Sequence, residues 1–256
     1  MTAGPRAGSA APAIARTALV LRHDSAIGLG NLGPVLEANG YEIVTVDTPT
    51  ADVSGLDPLG ADLVVVLGGD EAVYETDRYP YLADEVELLR ERIAAEAPVF
   101  GVCLGAQLLA ASLGGRAYRG ERKEVGWLEV EPTEAGAASP LRHFAGVPTV
   151  QWHGDTFELP ADSGVVRLAS SPQYENQAFA KGHWLLAVQF HPEVDDVIHD
   201  EWLDAWGDEL PEHGTSRDEL RAGHAEHGRR AQEASALLFG EYLAGLDARA
   251  TTAAAE

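Results

Sequence analysis

Cysteine and lysine are nearly missing from this chain, and each shortage removes a class of explanation. One cysteine in 256 residues, Cys103, forms no internal disulfide and no cysteine-rich metal site, so it is either a small buried hydrophobe or a reactive thiol. Lys123 and Lys181 are the only lysines, and Lys plus Arg number 18 against 41 Asp plus Glu, for a net charge of -23. That excess repels phosphate backbones and anionic lipid surfaces, which argues against nucleic acid and membranes as partners. Long apolar runs are lacking too: no segment approaches the roughly 18 residues that cross a bilayer. Met1 to Arg16 is rich in Ala, Gly and Pro, and no uninterrupted apolar stretch follows its first Arg, so residues 1–16 read as a flexible tail and not as a secretion signal. These features predict a soluble, cytoplasmic protein.

What is present suits one large α/β domain, or a domain with an appendage, and is too short for a two-domain synthetase. A strand is expected at Thr17 to Leu21, a helix near Gly30 to Asn39 closed by Gly40, and a strand at Tyr41 to Val46. Leu63-Val64-Val65-Val66-Leu67 is a continuous aliphatic run that predicts a central parallel strand covered on both faces. Leu82, Val86, Leu89 and Ile93 recur at helical spacing within Arg78 to Ala97, and Pro98 ends that helix. Val99 to Val102 then reads as a strand and Leu104 to Leu113 as a helix. This alternation predicts an open, mostly parallel sheet with helices on both faces, whose functional groups gather at the C-terminal ends of the strands. From Arg116 to Phe190 the pattern changes to short strands, around Gly126 to Glu131, Thr149 to Trp152, Val165 to Ser170, Gln177 to Ala180 and Trp184 to Phe190, expected as antiparallel extensions of the sheet. Residues 17–194 form the expected domain, and 195–250 an acidic helical extension packed on it. Within that extension an amphipathic helix is expected from Ser216 to about Leu246, with Leu220, Ala231, Ala234, Leu237, Leu238 and Tyr242 on or near one face. It either covers the sheet edge or serves a homo-oligomer.

The central chemical signal is Gly101-Val102-Cys103-Leu104-Gly105-Ala106-Gln107, where a nucleophile stands between two glycines as a strand turns into a helix. So sharp a turn forces the nucleophile into a strained backbone conformation and exposes it above the sheet, and small neighbours relieve the crowding. Unpaired N–H groups at the helix start favour a thiolate and an oxyanion, with the Leu104 amide as the natural donor. A second signal is His191-Pro192-Glu193 at a strand end: residues two apart share a face, so Glu193 can orient the imidazole while His191 takes the thiol proton. Gly68-Gly69-Asp70 follows the central strand, where a backbone free of side chains can approach a substrate and Gly69 can donate a second oxyanion N–H. Taken singly, each has a plain structural reading: a buried Cys, a surface turn, a tight βα turn. Their conjunction at successive strand ends does not. His224 and His227 stand at i and i+3 in the C-terminal helix with no clear acidic partner on their face, and read as a solvated helix face; no metal or cofactor is expected.

Together Gly68-Gly69, the Cys103 segment and His191-Pro192-Glu193 resemble class I glutamine amidotransferases, over roughly Thr17 to Val194. Further segments, Val73 to Pro80, Glu124 to Trp127, Trp152 to Pro160, Leu168 to Ser171 and Asn176 to Phe179, resemble the stand-alone branch related to the amidotransferase domain of GMP synthase. The resemblance implies hydrolysis of the glutamine side-chain amide through a Cys103 thioester, with His191 and Glu193 completing the triad and Gly69 and Leu104 forming the oxyanion hole. It also implies that Gln107 and the backbone around Trp152 and His153 hold the α-amino and α-carboxylate groups, although the His153 side chain itself is read as structural sooner than chemical. The family often has Gly-Gly-Pro where this chain has Gly68-Gly69-Asp70, which leaves substrate preference open. With no synthetase half, ammonia would pass to a separate synthetase or transferase subunit, or the enzyme would be a γ-glutamyl hydrolase or peptidase. A related group of cysteine hydrolases and chaperones shares the elbow but commonly has His after the nucleophile, where this chain has Leu104. A non-catalytic binding subunit is the reading from another class, and the complete triad argues against it.

Overall fold

The computed structural model describes residues 16–161 and 163–253, so the expected tail lies outside the described residues except for Arg16, which opens the first strand. Strands and helices alternate through the first half: β1 (Arg16–Arg22), α1 (Leu32–Ala38), β2 (Tyr41–Asp47), β3 (Leu63–Val66), α2 (Tyr81–Ala94), β4 (Val99–Val102) and α3 (Leu104–Ser112). The second half contains β5 (Arg116–Leu128), β6 (Glu131–Pro132), α4 (Glu134–Ala137), β7 (Thr149–Glu158), β8 (Val165–Ser170), β9 (Ala178–Lys181), β10 (Leu185–Val188), α5 (Asp196–Trp206) and α6 (Arg217–Ala253). One sheet runs β2-β1-β3-β4-β10-β9-β8-β6. It is parallel from β2 through β10 and antiparallel beyond, the open α/β fold that the alternation predicts. The aliphatic run in β3 is buried throughout between β1 and β4, because both of its faces are covered.

Successive side chains on β4 point to opposite faces, and they meet different helices. Phe100 packs at 4.9 Å against Phe239 of α6, the two rings tilted. Gly101 points the other way, where a Cβ would lie 2.6 Å from Leu109 Cδ1 of α3. Helices α2 and α3 therefore cover one face, while α1 and α6 cover the other. In α6 the buried apolar positions are Leu220, Ala231, Ala234, Leu238, Phe239, Tyr242, Leu243 and Leu246, and Tyr242 Oη donates to the carbonyls of Val99 and Trp184. Leu237, expected on or near that face, is 57% exposed, since it stands about 100° round the helix from Leu238.

Several elements differ from expectation, among them β10, which pairs parallel with β4 and is not one of the antiparallel extensions. β5 and β7 leave the main sheet as a ribbon whose register shifts between Arg119 and Glu124, joined to the rest by an isolated bridge from Val150 to His191. Charged Arg116, Arg119, Glu121, Arg122 and Lys123 hide the first half of β5, since a ribbon open to water needs no apolar alternation. Helix α2 starts at Tyr81 and not Arg78, because Tyr79 precedes Pro80 and a residue before proline is pushed out of the helical region.

Candidate active site

Cys103 is the residue between β4 and α3, with φ +51° and ψ −107°. Holding an L residue there costs on the order of 1–3 kcal/mol, so the surroundings must enforce it. The Cys103 N–H donates to Val188 O of β10 at 2.9 Å, and its carbonyl accepts from the Gln107 N–H at 3.1 Å. The flanking glycines make the turn possible: a Cβ on Gly105 would stand 2.1 Å from Val66 O, and one on Gly101 2.9 Å from the Gly105 carbonyl. As a residue Cys103 is 5% exposed, so the turn leaves it buried and not open above the sheet as expected.

His191 follows β10 by three residues and is held by its N–H, which donates to Val150 O of β7 at 2.9 Å. Its ring Nδ1 lies 2.6 Å from Glu193 Oε1, with both side chains buried. The His-Pro-Glu turn is clamped from the start of α1. Asn31 Nδ2 donates to the carbonyls of Pro192 and Val194, the Asn31 N–H donates to Glu193 O, and Gly30 packs so close that a Cβ would fall 2.0 Å from Glu193 O. Above the imidazole stands Trp202 of α5, edge-on at 4.7 Å and anchored by its indole N–H to Ala26 O. Burial works to deprotonate His191, but the negative charge of Glu193 and then of Cys103 outweighs it and raises the pKa to about 10. These charges favour the protonated form of the His191 ring.

The Gly68-Gly69 turn lies against the same point. A Cβ on Gly68 would sit 3.5 Å from Cys103 Cβ and 3.4 Å from His191 Cε1, and one on Gly69 2.8 Å from Leu104 Cδ2. The structure thus gathers Cys103, His191, Glu193, Gly69 and Leu104. Gln107 stands one turn along α3 with its amide already donating to Gln189 Oε1 and Asp155 O, so it braces the floor of the site. Trp152 packs against Trp202 and Trp206. Both ring nitrogens of His153 are engaged, with Asp155 O at 2.8 Å and Glu124 Oε2 at 3.1 Å. Glu124 also accepts from Ser171 and Gln177, tying the β5–β7 ribbon to the main sheet. At the rim, crowding by the protein and the charges of Glu71, Asp24 and Glu209 raise the pKa of Asp70, with Lys123 opposing.

His224 and His227 are not a solvated face. His224 stacks at 4.2 Å on His199 and lies 3.2 Å from Asp196, and both histidines pack on Trp127. Among the described residues, no group of three or more His, Cys, Asp or Glu side chains is placed to hold a metal, and no helix is long and apolar enough to cross a membrane.

The family profile of glutamine amidotransferase class-I matches residues 31–203. The chain belongs to that family. Amidotransferases similar to it include GMP synthase [glutamine-hydrolyzing] of Thermomicrobium roseum, 37% identical over 62% of this chain and 28% of the relative. One subunit of the glutamine-hydrolyzing GMP synthase of Thermoplasma volcanium is 33% identical over 60% of this chain and 71% of its own length. The chain therefore spans little more than a quarter of the Thermomicrobium enzyme. A solved glutamine amidotransferase from Thermotoga maritima is 32% identical, with a TM-score of 0.78, over 90% of this chain and 99% of that one.

Sequence reasoning missed His23, Glu85, Asn31, Trp202 and Gln189. One signal for His23 was within reach: it is the first residue after β1, a C-terminal strand end like those that carry Gly68, Cys103 and His191.

Proposed function

We propose that this amidotransferase hydrolyses the side-chain amide of glutamine and hands the ammonia to a separate synthetase or transferase subunit. The observation that carries this is the buried His191, 2.6 Å from Glu193 and set beside the strained Cys103 at the Gly68 turn. In this reading residues 17–194 form the amidotransferase domain and 195–250 its helical cover. The Cys103 thiolate attacks the amide carbonyl carbon, and the oxyanion is met by the N–H groups of Gly69 and Leu104. As the C–N bond breaks, His191 gives its proton to the leaving nitrogen and ammonia departs. His191 then takes a proton from water, the hydroxide attacks the thioester, the C–S bond breaks, and glutamate leaves with the thiolate restored. Trp152 and the β7 backbone beside it border the place where the amino-acid end of the substrate would lie.

The test is mass spectrometry after treatment with a diazo-ketone analogue of glutamine, together with glutamate release. We expect one adduct, on Cys103, and loss of both signals in Cys103→Ala, with activity down by at least about 10³-fold. No adduct on the wild-type thiol and no glutamate release, alone or with acceptor subunits, would defeat the proposal. The carboxylates around Asp70 favour a second reading, a γ-glutamyl hydrolase whose leaving group is a cationic amine. Much faster cleavage of γ-glutamyl amines than of glutamine would select it.

A further inference from the structure

Another buried histidine–carboxylate pair lies behind the Gly68-Gly69 turn, and the thioester chemistry above leaves it without a task. His23 at the end of β1 and Glu85 in α2 both have side chains that are 0% exposed. His23 Nδ1 is 2.9 Å from Gly68 O, and Nε2 is 3.0 Å from Glu85 Oε2. A carbonyl oxygen only accepts, so Nδ1 carries a proton and donates it to Gly68.

Gly68 O belongs to the same planar peptide unit as the Gly69 N–H. In a trans peptide the C=O and N–H bonds point in opposite directions, so holding the oxygen on one side aims the hydrogen to the other. Two successive glycines have no side chains to resist rotation, and this peptide would otherwise sample many orientations. The last ladder bond before it is Leu67 N–H to Leu21 O. His23 supplies the next restraint, on the carbonyl of a turn that lies beside Cys103, whose Cβ is 3.5 Å from the place a Gly68 Cβ would occupy. We propose that His23, oriented by Glu85, is a positioning residue of the oxyanion hole, fixing the Gly68–Gly69 peptide so that its N–H is presented to the substrate oxygen. This rests on the Cys103 thioester reading. Donation to the carbonyl also polarises the amide and makes its N–H a stronger donor. Burial of His23 opposes a charge, but Glu85 and then Glu71 raise its pKa above the ordinary value, so the positive end of the pair lies nearest the turn.

The experiment compares wild type with His23→Leu, His23→Asn and Glu85→Gln in three assays: glutamine hydrolysis, inhibition by the γ-aldehyde analogue of glutamate, and alkylation of Cys103 by iodoacetamide. The aldehyde adds the thiol to give a thiohemiacetal whose oxygen occupies the hole, whereas alkylation forms an S–C bond, expels iodide and makes no oxyanion. For His23→Leu we expect kcat down by about 10²-fold with KM within about threefold, aldehyde inhibition weakened by a similar factor, and alkylation within about twofold of wild type. His23→Asn, which keeps a short N–H donor, should recover most of the loss, and Glu85→Gln should fall between. If His23→Leu fails to fold, the other two variants carry the test, with aldehyde inhibition falling in step with kcat in each. Alkylation slowed as much as hydrolysis, or kcat unchanged in the folded variants of an active enzyme, would overturn the assignment. A wild type that neither releases glutamate nor binds the aldehyde would instead defeat the thioester reading, and the assignment with it.

Discussion

At His191 two opposing effects set the charge, and their balance has a measurable pH signature. Burial alone would lower its pKa, yet Glu193 and Cys103 raise it to about 10. The stability this interaction lends is complete below the unfolded histidine value of about 6.5 and disappears as pH climbs through the folded one. Glu193→Gln removes the nearer negative charge, so the His191 pKa must fall. The basic limb of the glutamine hydrolysis profile should move to lower pH, with kcat down by about 10²-fold. An unmoved limb would mean that Glu193 does not govern the proton on His191. Folded and unfolded protein should also differ in proton uptake between about pH 6.5 and 10 in wild type, and far less in this variant.

The turn from β4 into α3 works only because its neighbours are small. In Gly105→Ala the new methyl would meet Val66 O at 2.1 Å, a backbone atom fixed within the sheet. We expect a loss of about 3 kcal/mol or more, read from denaturant midpoints, because the only relief is to pry α3 from β3. A loss within about 0.5 kcal/mol would show that the helix can shift freely. Such elements were plain in the sequence: the aliphatic run of β3, the Gly-flanked Cys103 and the Gly40 helix stop each obey a local rule. What stayed hidden depends on contacts distant in the chain. Trp202 looks like any apolar helix residue until α5 folds back over His191, and the partner of His23 is 62 residues away. Asn31 falls unremarked within the expected helix, yet its side chain clamps a turn 161 to 163 residues further on. In α5 and α6 the spacing conveyed the helix, but not which histidines its face would stack.

Across the whole molecule, 41 acidic residues face 18 basic ones, so repulsion between like charges opposes the compact state. Surface pairs such as Arg229–Glu233 pull the other way but contribute little each. Repulsion should win: raising salt from about 10 to 150 mM shortens the Debye length from roughly 30 to 8 Å, and the melting temperature should rise by about 2–4 °C. A fall would mean that attractive networks dominate the surface. A last consequence follows from the solitary sulfhydryl on its strained turn. If an oxidant converts Cys103 to a sulfenic acid, these 256 residues hold no second thiol to capture it as a disulfide. Repair must come from outside, from glutathione or another small thiol, and without it oxidation runs on to the irreversible sulfinic acid. The residue whose reactivity the fold concentrates is thus also its point of ageing.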